Sequence, residues 1–229
     1  SRDEEHFTPS LKLQYDINPD VMAYFTAEKG FKSGGFNSAP DATLENSEFE
    51  EESAVGVEFG MKTDLLDGAA RFNFAVFRTE FDDLQVTTWN GFGFEVGNAA
   101  ESVTQGLEVD GIVLLNDYFT LSGSLSYLDS YYKNYAAGPC TAYDLQVEGK
   151  SQCDLSGEAT PFAPEYSASI FLEYATELTE DLELSATLNL NYSDEFFYDI
   201  DLDENLMQEA TTKVNLSVKL AAMDDSWDI

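Results

Sequence analysis

No stretch of this chain approaches the roughly 20 consecutive apolar residues that a membrane helix needs, and none carries a helical period. Basic residues are scarce: 11 Lys and Arg face 44 Asp and Glu, a formal net charge of −33. A polyanion needs a basic face, so nucleic acid is excluded as a partner. Histidine is almost missing. His6 stands alone ahead of the first good strand pattern, which leaves a Ser-His-Asp or Cys-His arrangement one badly placed base. No Gly-rich loop follows a strand and opens a helix, so no nucleotide or other cofactor is expected. No catalytic residue and no metal ligand set is identified, and the chain does not read as an enzyme. A basic, apolar, small-residue leader is also absent at Ser1. That absence does not assign a compartment.

What the chain does have is a clean period of two. Leu182, Leu184, Ala186, Leu188, Leu190 and Tyr192 alternate with Glu183, Ser185, Thr187, Asn189, Asn191 and Ser193. The stretches 120–127, 213–220 and 55–62 repeat the pattern. One apolar and one polar face per segment makes this an all-β chain. The connections alternate as well. Short links fall at 17–20, 66–68, 116–117, 176–181 and 223–226, and long ones at 32–52, 88–98, 134–163 and 198–209. If every second link is long, all the long ones leave from one rim of an antiparallel sheet.

Two solvents explain an alternating strand. In a sandwich the apolar face packs inward; in an outer-membrane barrel it meets lipid and the polar face lines the lumen. Segments 69–86, 99–115, 118–133 and 182–197 exceed the roughly 9 to 11 residues a tilted membrane strand needs. Aromatic residues make up 14% of the chain. Many fall toward strand ends, among them Tyr15, Phe31, Phe81, Tyr118, Phe119, Phe162, Tyr166, Tyr174 and Tyr192, as interfacial girdles require. The expected fold is an antiparallel transmembrane β-barrel contributing about ten strands, the last beginning near 226–229. The excess acid fits either a strongly solvated surface or outer loops that attract cations and repel anions.

Several segments in order resemble the C-terminal barrel half of TonB-dependent outer-membrane receptors. They are Tyr24 through Asn37, ending in Gly30-Phe31-Lys32-Ser33-Gly34-Gly35-Phe36-Asn37; Glu58 through Gly68; and Phe81-Asp82-Asp83-Leu84-Gln85-Val86. Gly97-Asn98-Ala99-Ala100, Gly106-Leu107-Glu108, Tyr127-Leu128-Asp129, Asp154-Leu155-Ser156-Gly157 and Ala163-Pro164 follow. The resemblance implies a larger, 22-stranded up-and-down barrel in the Gram-negative outer membrane, with residues 1–229 a partial barrel domain. The plug and the closing strands would be absent. It also implies active import of a scarce nutrient such as an iron–siderophore complex, energised by the TonB complex. The partners would be outer-membrane lipid, the rest of the barrel, its plug and a small nutrient ligand. A passive porin-like channel and a secreted acidic β-sandwich binding module are the alternatives.

Cys140 and Cys153 lie inside one long polar connection. In an oxidising compartment they close a disulfide, worth on the order of 3 kcal/mol for so short a loop; two free thiols or, less well supported, a zinc site are the other readings. The substrate-vestibule candidates are Trp89, Phe92 and Phe94 in 88–98, with Tyr131, Tyr132 and Tyr135 at the next long-loop end; packing between loops or a place in the outer girdle would explain them equally well. Asp199-Ile200-Asp201-Leu202-Asp203 opens like a calcium loop, yet Glu204 and Ala210 stand where an EF-hand has Gly and Glu. A solvated acidic loop is the better reading.

Overall fold

The computed structural model describes residues 4–38, 48–89, 93–224 and 226–229, leaving aside the side chains of Trp89 and Ala99. Nine strands form one antiparallel meander in strict sequence order. They are β1 (Ser10–Asn18), β2 (Val21–Lys32), β3 (Glu52–Leu65), β4 (Ala70–Trp89), β5 (Phe94–Leu114), β6 (Phe119–Asn134), β7 (Tyr166–Thr179), β8 (Leu182–Ser193) and β9 (Thr211–Ala222). The tenth strand expected from sequence is present only as a return: Ile229 and Leu220 exchange backbone hydrogen bonds of 2.9 and 3.0 Å. β1 and β9 are the two edges, so the sheet does not close on itself.

Register carries the alternation across the sheet. Leu13, Phe25, Phe59, Val76, Leu107, Tyr127 and Tyr166 are successive cross-strand partners from β1 to β7. Phe72, Gly111, Gly123, Ile170, Leu190 and Val214 form a second apolar row from β4 to β9. The opposite face carries Lys62, Asn73, Asp110, Ser124, Ser169, Asn191 and Lys213 in one row. There Asn73 donates to Asp110 at 2.9 Å and the Ser124 and Ser169 hydroxyls meet at 2.8 Å. A Cβ on Gly60 would come within 2.4 Å of the Tyr24 ring, which lies over it with its hydroxyl donating to Glu58 at 2.7 Å.

The apolar face is open. Leu13, Phe59, Leu125, Ile170 and Leu216 are 56, 45, 50, 48 and 71% exposed, and among the described residues no second layer covers them. A sandwich would bury these residues, so that alternative fails. Rings bracket the open band: Tyr118, Phe119 and Tyr174 gather at the short-turn end, with the Phe119 and Tyr174 centroids 4.9 Å apart. Tyr127 and Tyr166 pair toward the other end at 5.2 Å. Phe119 to Tyr127 spans about 27 Å along a strand, or about 20 Å after tilt, close to the roughly 25 Å height of a membrane band.

Turn chemistry explains the tight rim. The Asn18 carboxamide accepts from Asp20 N at 2.9 Å, and that of Asn116 from Tyr118 N and Phe119 N at 2.8 and 3.0 Å. The Thr179 hydroxyl accepts from Asp181 N at 3.3 Å. Between β3 and β4 the chain reverses through Leu66, Asp67 and Gly68 at φ 54, 55 and 89°, and Gly68 adopts that conformation without strain. One long connection departs from expectation. Residues 88–98 are mostly the tips of β4 and β5, strands of 20 and 21 residues that stand far beyond the aromatic belt. Their Gly- and Asn-rich sequence reads as loop because cross-strand pairing, rather than side-chain alternation, holds them.

Candidate functional site

The long connections meet at one rim and build there the packing that the strand band lacks. Val86, Ala100, Tyr132, Tyr135 and Leu155 form a buried cluster, with Leu84, Cys153, Ile200 and Leu202 against it. Four segments contribute: the tips of β4 and β5, the end of β6 with the connection after it, and 198–209. Tyr132 and Tyr135 are 2 and 1% exposed, their centroids 5.0 Å apart. Burial pushes the Tyr135 hydroxyl up to about 12.

The connection after β6 folds back as an extra hairpin. Tyr132 N donates to Glu158 O at 2.9 Å, Gly157 N to Tyr132 O at 2.7 Å and Leu155 N to Tyr135 O at 2.9 Å. The Asp154-Leu155-Ser156-Gly157 segment makes the turn. The Asp154 carboxylate accepts from Ser156 N at 3.0 Å, the Ser156 hydroxyl from Tyr135 N at 2.9 Å, and Gly157 sits at φ +88°. Bonding from Ser156 holds the Asp154 carboxyl below its usual range. Gly138 and Cys153 exchange backbone bonds of 2.8 and 3.0 Å, which brings Cys140 and Cys153 to a Cα separation of 5.1 Å with their sulfurs joined. Beyond them Thr141 donates to Asp144 at 2.7 Å and Lys150 to the same carboxylate at 3.0 Å, closing one helical turn, Asp144–Glu148. Those donors hold Asp144 below the usual carboxylate range.

Side-chain amides staple the neighbouring connection to this scaffold. Asn98 donates to Glu50 O and to Asp83 O at 2.9 Å each, and accepts from Glu50 N at 2.7 Å. Asn37 exchanges bonds of 2.8 and 2.9 Å with the Val96 backbone. Gln85 donates to Ser33 O and Glu50 O at 3.0 and 3.1 Å, while its N–H donates to Glu52 at 2.9 Å. Gly35–Phe36 pairs with Glu48–Phe49 as a small ribbon above β2 and β3.

The vestibule candidates separate into groups. Tyr132 and Tyr135 are brought together but fully packed, so they form the wall and offer no open ring. Tyr131 is half-buried on the opposite face of β6, bridged to Ala159. Phe94 is 70% exposed at the β5 tip. Phe92 and the Trp89 side chain lie outside the described residues. Sequence reasoning missed another group: Phe162, Phe196 and Tyr198, with centroids 5.3 to 6.1 Å apart, tied by Phe162 N donating to Phe197 O at 2.9 Å. Phe162 and Tyr198 are 65 and 47% exposed. Phe162 was expected in a girdle, but at φ +58° it belongs to this loop cluster.

The acidic run 199–203 spends its carboxylates on its own backbone. Asp199 accepts from Ile200 N at 2.7 Å, Asp201 from Asp203 N at 3.2 Å and Asp203 from Asn205 N at 2.9 Å. These are turn caps. Burial beside Ile200 and Leu202, with Asp199 and Asp203 close by, raises the Asp201 carboxyl above its ordinary value.

Known proteins agree with this architecture. The family profile described as TonB dependent receptor-like, beta-barrel, matches residues 1–229. Over 124 residues, 54% of this chain and 16% of the relative, the chain is 29% identical to the metal-pseudopaline receptor CntO of Pseudomonas aeruginosa. Over 179 residues, 75% of this chain and 21% of the relative, it is 26% identical to the probable TonB-dependent siderophore receptor PiuA of Acinetobacter baumannii. The ferric yersiniabactin uptake receptor FyuA from Yersinia pestis superposes with a TM-score of 0.70 over 93% of this chain and 29% of that one, at 20% identity. The siderophore receptor PiuA structure gives 0.66 over 95 and 29%, at 18% identity. At these identities the structures show shared fold, and the chain spans only 16 to 21% of the curated relatives' length. Matched along its whole length, the chain belongs to the TonB-dependent receptor family and forms part of that family's β-barrel domain.

Proposed function

We propose that this chain is the C-terminal part of the barrel of an outer-membrane receptor that imports a scarce nutrient, in the manner of a metal–chelator or siderophore receptor, using energy from TonB. The observation that carries the reading is the one-sided rim: among the described residues the β4 and β5 tips, the connection after β6 and 198–209 share one buried cluster, and the connection after β2 is stapled beside it, above an open apolar band. The long-loop rim faces the cell exterior and the tight turns face the periplasm. Edges β1 and β9 pair with further strands of the same polypeptide, since lipid does not tolerate unpaired backbone. A plug elsewhere in that polypeptide carries the contact to TonB. The disulfide forms after export and fixes the hairpin above β6.

Cargo meets the exposed rings, Phe94, Phe162 and Tyr198, together with Trp89 and Phe92, while Tyr131, Tyr132 and Tyr135 support the vestibule from behind. Rigid aromatics give contact area at low entropic cost. The acids Glu48, Glu50, Glu51 and Glu52 disfavour a bare anion and suit a neutral or cationic chelate. The test is uptake of a radiolabelled ferric chelate by cells whose complete receptor carries Phe94→Ala with Phe162→Ala. Half-saturation is expected to rise with barrel assembly unchanged. Unchanged half-saturation would return these rings to a packing role.

A further inference from the structure

Among the described residues, one cluster of potential metal ligands shares only Glu51 with the import reading. Glu4, His6 and Glu51 converge where the segment before β1 passes the top of β2 and the start of β3, each placing one ligand atom within 4.8 Å of the other two. His6 Nε2 lies 3.0 Å from Glu51 Oε2 and 3.6 Å from Glu4 Oε2. The imidazole rests on Phe31, with ring centroids 3.8 Å apart and planes 33° apart, which fixes its direction. The second oxygen of Glu4 accepts from Gly34 N at 3.2 Å, so that carboxylate is held in place as well. His6 and Glu4 side chains are each only 14% exposed.

The Nε2 atom is shut off from solvent and has no aligned hydrogen-bond partner, although two carboxylate oxygens flank it. The spacing suggests what satisfies it. A cation bound at about 2.0 to 2.2 Å by nitrogen and oxygen ligands sets those ligands about 3.0 to 3.5 Å apart along the edges of an octahedron or tetrahedron. The 3.0 Å separation matches such an edge, the 3.6 Å one lies just beyond it, and all three ligand atoms fall within 4.8 Å of one another. One imidazole and two carboxylates form a mixed nitrogen–oxygen set that suits a first-row divalent ion, zinc foremost, whereas calcium takes six to eight oxygens.

We propose that Glu4, His6 and Glu51 bind a zinc-class divalent cation that clips the segment before β1 to the 33–51 connection. The site does not depend on the nature of the cargo. Its ligands come from two points far apart in sequence, so the ion closes a long loop, where a cross-link removes most chain entropy. Water or a residue from the adjoining part of the receptor completes the coordination.

The test uses the complete receptor, purified in detergent and stripped with a chelator, titrated calorimetrically with zinc alone and with calcium alone. Cobalt is added separately to read visible ligand-field absorption. His6→Ala is expected to abolish one zinc equivalent relative to the parent, and Glu51→Gln to weaken it by roughly tenfold or more. Cobalt absorption at the site should vanish in His6→Ala and need correspondingly more cobalt in Glu51→Gln, and calcium should give no heat from it. Glu51→Gln alters an accessible side chain and keeps the result interpretable if His6→Ala assembles badly. Identical zinc stoichiometry, affinity and cobalt spectra in the parent and Glu51→Gln would overturn the proposal, leaving the three residues as an ion-paired contact.

Discussion

The strand band and the long-loop rim of this molecule solve opposite problems. Across the band, rows such as Phe72, Gly111, Gly123, Ile170, Leu190 and Val214 hold apolar groups outward, with Phe72, Ile170 and Val214 42, 48 and 62% exposed. At the rim, Val86, Ala100, Tyr132, Tyr135 and Leu155 are packed as tightly as the interior of a soluble domain. The difference follows from solvent. A strand whose apolar face meets hydrocarbon needs no protein core, because lipid supplies the apolar surroundings. A loop in water has to bury its own apolar groups or stay disordered. The rim therefore carries its own small hydrophobic core, which the strand band does without.

The largest difference between band and rim is expected at Tyr132. Truncating a fully packed aromatic costs about 3 to 5 kcal/mol. Tyr132→Ala in the complete receptor should open the rim to protease between 134 and 163 while leaving the strands folded by circular dichroism. Leu125→Ala, at 50% exposed on the open face, should leave that protease pattern unchanged. Equal damage from both would mean that rim and band fold as one core.

A smaller effect is expected at Asp201. The Asp201 carboxyl is raised chiefly by burial, so the folded rim favours its protonated form. The stability this contributes is present below the ordinary aspartate value and is lost as pH rises through the raised one. Asp201→Asn should therefore make 198–209 more protease-resistant at neutral pH, with the advantage shrinking as pH falls below the ordinary aspartate range. An advantage independent of pH would assign the effect to packing alone.

The band was legible because its rule is local. Alternation at 182–193 and 213–220, and turn residues such as Asn18, Asn116 and Gly68, each act within a few positions and needed no knowledge of distant partners. Cys140 and Cys153 were legible for the same reason, being close within one connection. The rim was legible only in outline. Tyr132 and Tyr135 looked like exposed loop aromatics because the residues that bury them, Val86, Ala100 and Leu155, come from other connections. The tips of β4 and β5 looked like loop because glycine and asparagine break alternation. Asn98 there takes the place of backbone pairing with Glu50 and Asp83. The Phe162, Phe196 and Tyr198 group, and the Glu4, His6 and Glu51 group, are each assembled by topology, and no spacing in the sequence announces them.

The claim beneath the whole account is that the open apolar face meets lipid. It is tested most directly by single spin labels at Leu188 and Thr187 in β8 of the complete receptor, reconstituted in bilayers and challenged with oxygen and with a water-soluble nickel relaxant. Leu188 shares a row with Leu172 and Leu216, while Thr187 pairs with Glu173 and Ser217 on the polar face. Lipid contact predicts that the label at 188 is relaxed by oxygen and shielded from nickel, and that the label at 187 shows the reverse. Arginine at 188 should accordingly cost about 2 to 4 kcal/mol near the bilayer midplane, and much less at 187. A label at 188 in water and one at 187 in lipid would contradict the account.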